Sequence, residues 1–234
     1  MFRSLKKLTR KLFRTWRLPP VIKAVRADSL TYLTENALCD LYEQVALLER
    51  RGAGGILIEA GCALGGSAIV IAAAKAPERP LYVYDVFDQI PPPSDRDGPD
   101  VRDRYEVITR GEASGFGGKP YYGYEENLYE QVTENFRMLG LPAEENNVHL
   151  KKGLFRDTLH VEEPVVLAHI DGDWYESVMT CLERIEPRLI HGGVLVIDDY
   201  KHWSGCPEAV DEYFADKRDR YAFIERSRLH IVRR

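Results

Sequence analysis

From Gly54 onward, short β-branched runs at 56–59, 81–85, 148–151, 165–171 and 194–198 alternate with helical stretches near 64–76, 125–139, 174–189 and 206–217. This alternation limits the fold more than any other feature. Strands separated by helix-length segments run parallel, and the connecting helices cover both faces of the sheet. Two further runs, 221–225 and 229–232, lie too close for a helix to intervene and are expected to pair as an antiparallel hairpin at the end of the sheet. The reading is a Rossmann-like α/β fold whose seven-stranded sheet is mostly parallel. Before it, after Pro19-Pro20, residues 27–51 carry Leu38, Leu41, Val45 and Leu48 along one helical face.

Two segments stand outside this pattern. Residues 88–124, with Pro91-Pro92-Pro93 and Gly115-Phe116-Gly117-Gly118, show no sustained periodicity and read as a lid-like loop over a site. Residues 1–26 hold nine of the 32 Lys and Arg residues and no acid, so the rest of the chain is strongly acidic. Such a body repels a nucleic-acid backbone. In the arm Phe2, Leu5, Leu8, Leu12, Phe13 and Trp16 interleave with basic residues as a basic amphipathic helix. Residues 1–17 are therefore expected to touch a dimer partner or the inner membrane face. The expected domains are this arm and one catalytic domain from 27 to 234. Four scattered cysteines and the lack of a spanning-length apolar run suit a cytoplasmic protein, here expected to form a homo-oligomer.

The first strand runs into Glu59-Ala60-Gly61-Cys62-Ala63-Leu64-Gly65-Gly66-Ser67. Glycines admit a ligand close to the backbone, and the free N–H groups opening the next helix can meet an anionic group. Asp85, at the end of the second strand, is placed to hydrogen-bond ribose hydroxyls. Both features serve S-adenosylmethionine and NAD equally, so at this point the cofactor stays open. A second constellation lies at the ends of the fourth and fifth strands: His169, Asp171 and Asp173, then Asp198 and Asp199, with His202 beyond. Carboxylates crowded at neighbouring strand ends raise one another's pKa unless a cation joins them, which points to an oxygen-ligated divalent metal such as Mg²⁺. A metal there would lower the pKa of a substrate hydroxyl. Asp173 is the first candidate for the base that takes its proton, and His202 the second.

The chain resembles the TylF/MycF family of sugar O-methyltransferases over roughly residues 50–215. The resemblance rests on Glu59-Ala60-Gly61 with Gly65-Gly66, Asp85-Val86-Phe87 with Pro91-Pro92-Pro93, and Gly153-Leu154-Phe155-Arg156-Asp157-Thr158-Leu159. It continues through Asp171-Gly172-Asp173-Trp174-Tyr175-Glu176-Ser177, Gly192-Gly193, Asp198-Asp199-Tyr200 and Cys206-Pro207-Glu208-Ala209-Val210. It implies a class I methyltransferase fold, to which the terminal hairpin also points, with S-adenosylmethionine and Mg²⁺ as cofactors. Carried over by motif, Asp171, Asp198 and Asp199 are the metal ligands and Asp173 the general base. Glu59, Gly61, Gly65, Gly66, Ser67, Asp85, Phe87 and Asp171 form the expected cofactor site.

Residues 95–124 and the basic arm match no family pattern, which leaves the acceptor open. A sugar hydroxyl on a glycoside or polysaccharide, that is a small-molecule or glycan acceptor, is the first expectation and a catechol-like phenol the second; Tyr121, Tyr122 and Tyr124 could stack on either. A NAD-dependent oxidoreductase would leave the acid clusters unused. A catalytically inactive interaction module would retain them at a cost.

Overall fold

A computed structural model describes residues 18–234. The amphipathic helix expected on residues 1–17 lies outside the described residues. The helices are α1 (Pro20–Ala27), α2 (Glu35–Arg50), α3 (Gly66–Ala74), α4 (Pro99–Thr109), α5 (Leu128–Met138), α6 (Phe155–Thr158), α7 (Tyr175–Ile185) and α8 (Gly205–Tyr213). The strands are β1 (Ile56–Ala60), β2 (Leu81–Asp85), β3 (Val148–Lys152), β4 (Val165–Ile170), β5 (Leu189–Ile197), β6 (Tyr221–Glu225) and β7 (Leu229–Arg233). They form one seven-stranded sheet in the order β3-β2-β1-β4-β5-β7-β6. The first five are parallel, and β7 runs antiparallel to both β5 and β6. The expected hairpin is present, and its second strand is the one that docks on β5.

Period-two alternation divides the sheet between two cores. Leu57, Val83, Leu167, Val194 and Val196 face α1, α2, α3 and α5. Ile58, Ala60, Ala168, Ile170, Leu195 and Ile197 face α7, α8 and the hairpin. Helix α3, Gly-Ser-Ala-Ile-Val-Ile-Ala-Ala-Ala, has no polar stripe because it is buried almost all round. On the other side Phe214 is fully buried and meets Tyr213, Tyr221 and Phe223 edge to face, fastening α8 to β6.

Three boundaries differ from the sequence reading. Residues 27–51 do not form one helix: α1 ends at Ala27, and α2 starts at Glu35, where the Thr34 hydroxyl accepts the Ala37 N–H at 3.3 Å. Proline at position 20 opens α1 instead of breaking it, since the first turn of a helix needs no N–H from that residue. Ile22 and Val25 of α1 are wholly buried, so the last part of the basic arm belongs to the core. Finally, residues 88–124 contain α4 and a small cluster of Ile108, Ala113 and Tyr121. The sequence hid α4 because only Val101 and Ile108 on it are buried, too few to show a period.

Replacing Phe214 with Ala should cost about 3–5 kcal/mol, the usual range for emptying an aromatic core position. Urea unfolding of the variant measures it; a loss below about 1 kcal/mol would mean the hairpin is held elsewhere.

Candidate active site

The carboxyl ends of β1, β4 and β5 carry the site, and their ladders continue one residue beyond the strands. Gly61 N–H donates to Tyr84 O at 2.8 Å, Asp171 N–H to Ala60 O at 2.8 Å, and Asp198 N–H to Ile170 O at 2.9 Å. The first acid of each cluster thus stands on backbone as fixed as the sheet. Gly61 has φ +88°, and a Cβ there would lie 1.9 Å from the Asp171 carbonyl oxygen, so the turn and the acid loop touch through this one residue.

Behind this edge lies a buried relay. Glu59, His169, Val196 and His230 stand side by side across β1, β4, β5 and β7. Glu59 and His169 have no exposed surface. His169 Nδ1 is 3.0 Å from Glu59 Oε2, and its Nε2 faces Asp198 Oδ1 at 3.5 Å. The Ser67 hydroxyl donates to the other Glu59 oxygen. Burial pushes the His169 pKa down, but Glu59 and then Asp198 outweigh it and lift it to about 10, so at neutral pH the ring is an imidazolium. Arg228 Nε donates to Asp198 Oδ1 at 2.5 Å, and with His169 it holds the Asp198 carboxyl below its ordinary range despite burial.

The other acids crowd in front. One carboxylate oxygen from each of Asp171, Asp173 and Asp199 falls within 4.8 Å of the others, and the same holds for Asp198, Asp199 and a His202 ring nitrogen. Asp199 belongs to both groups. Burial and then the Asp198, Asp199 and Asp173 charges drive Asp171 well above the usual carboxylate range. Burial and then Asp173 and Asp198 do the same to Asp199. Asp173 sits at φ +52°, a left-handed conformation uncommon for a side-chain-bearing residue, with its N–H donated to Asp199 Oδ2 at 3.3 Å. Burial and then Asp198 raise its pKa to about 6, while Trp203 and Arg104 pull it back. His202, half exposed, stands 3.8 Å from Asp199.

Two cavities meet at these acids. A cleft of about 470 Å³ is lined by Gly61, Asp85, Asp88, Leu154, Phe155 and Asp171, among others. A wider cavity of about 840 Å³ holds Tyr32, Arg104, Trp203, His202, Asp199 and Arg228. Ile90, Tyr122, Asp171 and Asp173 line both.

The residues expected from sequence divide accordingly. Gly61, Asp85 and Asp171 line the cleft, and Asp171, Asp173, Asp198, Asp199 and His202 line the wider cavity. Glu59, Gly65, Gly66, Ser67 and Phe87 line neither. Glu59 and Ser67 are spent on the relay. Gly65, in the left-handed region, packs on Val132, Gly66 abuts Leu30, and Phe87 is buried against Tyr129. These five support the turn. Asp85 faces the cleft, yet it also accepts Cys62 and Ala63 N–H on Oδ2 and Phe87 N–H on Oδ1, binding the glycine turn to β2. The sequence reading missed Asp88, Leu154, Tyr32, Arg104, Trp203 and Arg228. Leu154 stood in a quoted motif; the others come together only through tertiary packing.

The segment from Pro91 to Asp100, which ends in the first turn of α4, straps this edge. Trp174 Nε1 donates to Pro91 O at 2.9 Å, Asp97 Oδ1 accepts the Tyr175 N–H that opens α7 at 2.8 Å, and Asp100 accepts Ser204 N–H at 2.9 Å. The strap therefore caps the helices that follow both acid loops.

Comparison with known proteins follows this geometry. A family model described as Macrocin-O-methyltransferase (TylF) matches residues 26–223. The 8-demethyl-8-(2,3-dimethoxy-alpha-L-rhamnosyl)-tetracenomycin-C 4'-O-methyltransferase of Streptomyces olivaceus is 33% identical over 206 residues, covering 86% of this chain and 67% of that protein. Mycinamicin III 3''-O-methyltransferase of Micromonospora griseorubida is 29% identical over 206 residues, covering 86% and 70%. The solved structure of the O-methyltransferase NovP superposes with a TM-score of 0.71 at 27% identity, covering 87% of this chain and 82% of that one. The chain spans about two thirds of the length of the curated relatives it matches.

Two outcomes test this geometry. Gly61→Ala should lose S-adenosylhomocysteine binding in calorimetry, because the new methyl displaces the Asp171 backbone; unchanged affinity would show that the turn yields. His169 has its pKa raised from 6.5 in the unfolded chain to about 10 in the fold. Its contribution is fully present below pH 6.5 and is lost as pH rises toward 10. Metal-free wild-type protein should lose stability over that window, whereas His169→Gln should start about 3–5 kcal/mol lower and show a flatter profile. Parallel profiles would exclude a charged His169.

Proposed function

The chain belongs to the TylF macrocin O-methyltransferase family, is an S-adenosylmethionine-dependent O-methyltransferase, and on that premise we propose that it methylates a sugar hydroxyl of a glycoside with Asp173 as general base. The observation that carries the proposal is the meeting of two cavities at Asp171 and Asp173. The cleft beside Gly61 and Asp85 takes the methyl donor, and the aromatic-walled cavity takes the acceptor. The acceptor assignment draws on the relatives' printed activities, which name a rhamnosyl-tetracenomycin and mycinamicin III, and on the aromatic side chains of Tyr32, Tyr122, Trp174 and Trp203 that line the cavity.

Asp171, Asp198 and Asp199 are proposed to hold a divalent cation, Mg²⁺ first. The donor set fits: the oxygens are hard ligands, Asp199 falls in one convergent group with Asp171 and in another with Asp198, and burial with mutual repulsion leaves Asp171 and Asp199 poorly able to stay ionised without a cation. Bound there, S-adenosylmethionine would supply an electrophilic methyl group and the metal would lower the pKa of the hydroxyl that receives it. The protein's own part is position and proton acceptance. The relay of Glu59, His169 and Arg228 keeps Asp198 ionised and fixed. Asp173, with its pKa near 6, is ionised at neutral pH and takes the hydroxyl proton; Trp203 and Arg104 favour that ionised form. The excursion at 88–124 is proposed as the lid that keeps water from the acceptor.

Incubation with S-adenosylmethionine, Mg²⁺ and a panel of rhamnosides and catechols, read as S-adenosylhomocysteine release, tests the acceptor class; turnover of catechols alone overturns the sugar assignment. On the accepted substrate, Asp173→Asn should lower kcat by about 10²–10⁴-fold with S-adenosylhomocysteine affinity intact. Mg²⁺ should raise the melting temperature of wild type but not of Asp199→Asn. A melt indifferent to Mg²⁺ in both removes the metal from the proposal.

A further inference from the structure

Arg104 is the one arginine of the 88–124 excursion with no hydrogen bond or ion pair among the described residues. Its neighbours are all engaged: Arg96 with Glu208 and Glu212, Arg102 with the Asp95 carbonyl, and Arg110 with Glu106. Arg104 instead lines the acceptor cavity, half buried, with its guanidinium carbon 5.7 Å from the centre of the Tyr121 ring. The helix that carries it is anchored, because Asp100 binds Ser204 at the head of α8 and the Tyr124 hydroxyl donates to Ile108 O at 2.7 Å. The side chain is therefore presented to the cavity from a fixed element. Its N–H donors meet no hydrogen-bond acceptor among the described residues and are open to the oxygens of a bound anion.

Balancing the acid cluster does not account for this placement. Arg104 is near enough to Asp173 to favour its ionised form but makes no bond to it. Arg228 shows what direct neutralisation looks like here, with its Nε on Asp198 Oδ1 at 2.5 Å. A guanidinium that lines the same cavity as the acids, stops short of them and is flanked by Tyr32, Tyr121 and Tyr122 is arranged to meet a ligand.

We infer that the acceptor carries a negatively charged oxyanion group, a phosphate or a carboxylate, which Arg104 binds through its paired N–H donors while the sugar hydroxyl lies at Asp173. This deepens the glycoside reading and rests on it. It makes Arg104 a specificity-determining residue: the planar fork matches two oxygens of one anion, which a lysine ammonium cannot do. The two sources of such a group are a nucleotide-linked sugar and a uronic acid.

The test is calorimetric titration of the full chain, saturated with S-adenosylhomocysteine and Mg²⁺, with UDP-glucose, methyl glucuronide and neutral methyl glucoside. Wild type should bind at least one anionic probe ten-fold or more tightly than methyl glucoside, and that preference should weaken as NaCl is raised. Preference for UDP-glucose identifies the phosphate source, and preference for the glucuronide the carboxylate. Arg104→Met should lose the preference while keeping its melting temperature, since no internal bond is broken, and Arg104→Lys should restore it in part. Equal binding of charged and neutral probes by wild type, binding of none of them, or a preference that survives in Arg104→Met overturns the inference and leaves the glycoside reading standing. Failure to bind S-adenosylhomocysteine at all overturns both.

Discussion

A protonated imidazole buried between two carboxylates ties the catalytic edge of this sheet together. Glu59 on β1, His169 on β4 and Asp198 just past β5 belong to three adjacent strands, and none of the three side chains keeps appreciable contact with water. Charges so placed are tolerable only in combination, since removing any one strands the others in a low-dielectric interior. The relay therefore fixes the spacing of the strand ends. The backbone row of Gly61, Asp171 and Asp198 inherits that spacing, and the distance between the donor cleft and the acid cluster follows from it.

In front of the relay the electrostatics reverse. Among the described residues Asp171, Asp173 and Asp199 have no bonded cation of the His169 kind, and each is pushed toward protonation by burial and by neighbouring carboxylates. The site is thus built in two tiers, a charge-balanced tier that holds geometry and an unbalanced tier that has charge to offer a ligand. Asp198 belongs to both, because one of its oxygens is taken by Arg228 and faces His169. The left-handed backbone at Asp173 belongs to the second tier, a local cost borne where a side chain must be aimed.

The excursion at 88–124 completes the arrangement from outside the sheet. Its first part works as a strap, with Asp97 and Asp100 capping the helices behind both acid loops, so the excursion is tied to the elements that follow the acids. Its second part carries Arg104, Tyr121 and Tyr122 of the wider cavity. Changes to this excursion can reach the acids without touching them, through the head of α7 at Tyr175 or of α8 at Ser204.

Periodicity in the sequence determined the parallel sheet, its terminal hairpin and the identity of the acid loops, because alternation of two and 3.6 is a local property that burial imposes on neighbouring residues. The glycine turn and the acids at 171, 173, 198 and 199 were legible for the same reason, each lying in a short contiguous motif at a strand end. What the sequence left undecided was direction and partnership. Glu59 reads as a cofactor ligand when only its place near the end of β1 is known, yet it turns into the sheet because His169, 110 positions away, stands beside it in register. Helix α4 was invisible because it buries only two side chains, and Arg104 on it took on meaning only when the fold placed it beside Tyr121 and within reach of Asp173. Contacts between residues far apart in the chain arise from packing, which no local pattern records, and those contacts decided which acids are spent holding the structure and which remain free to act.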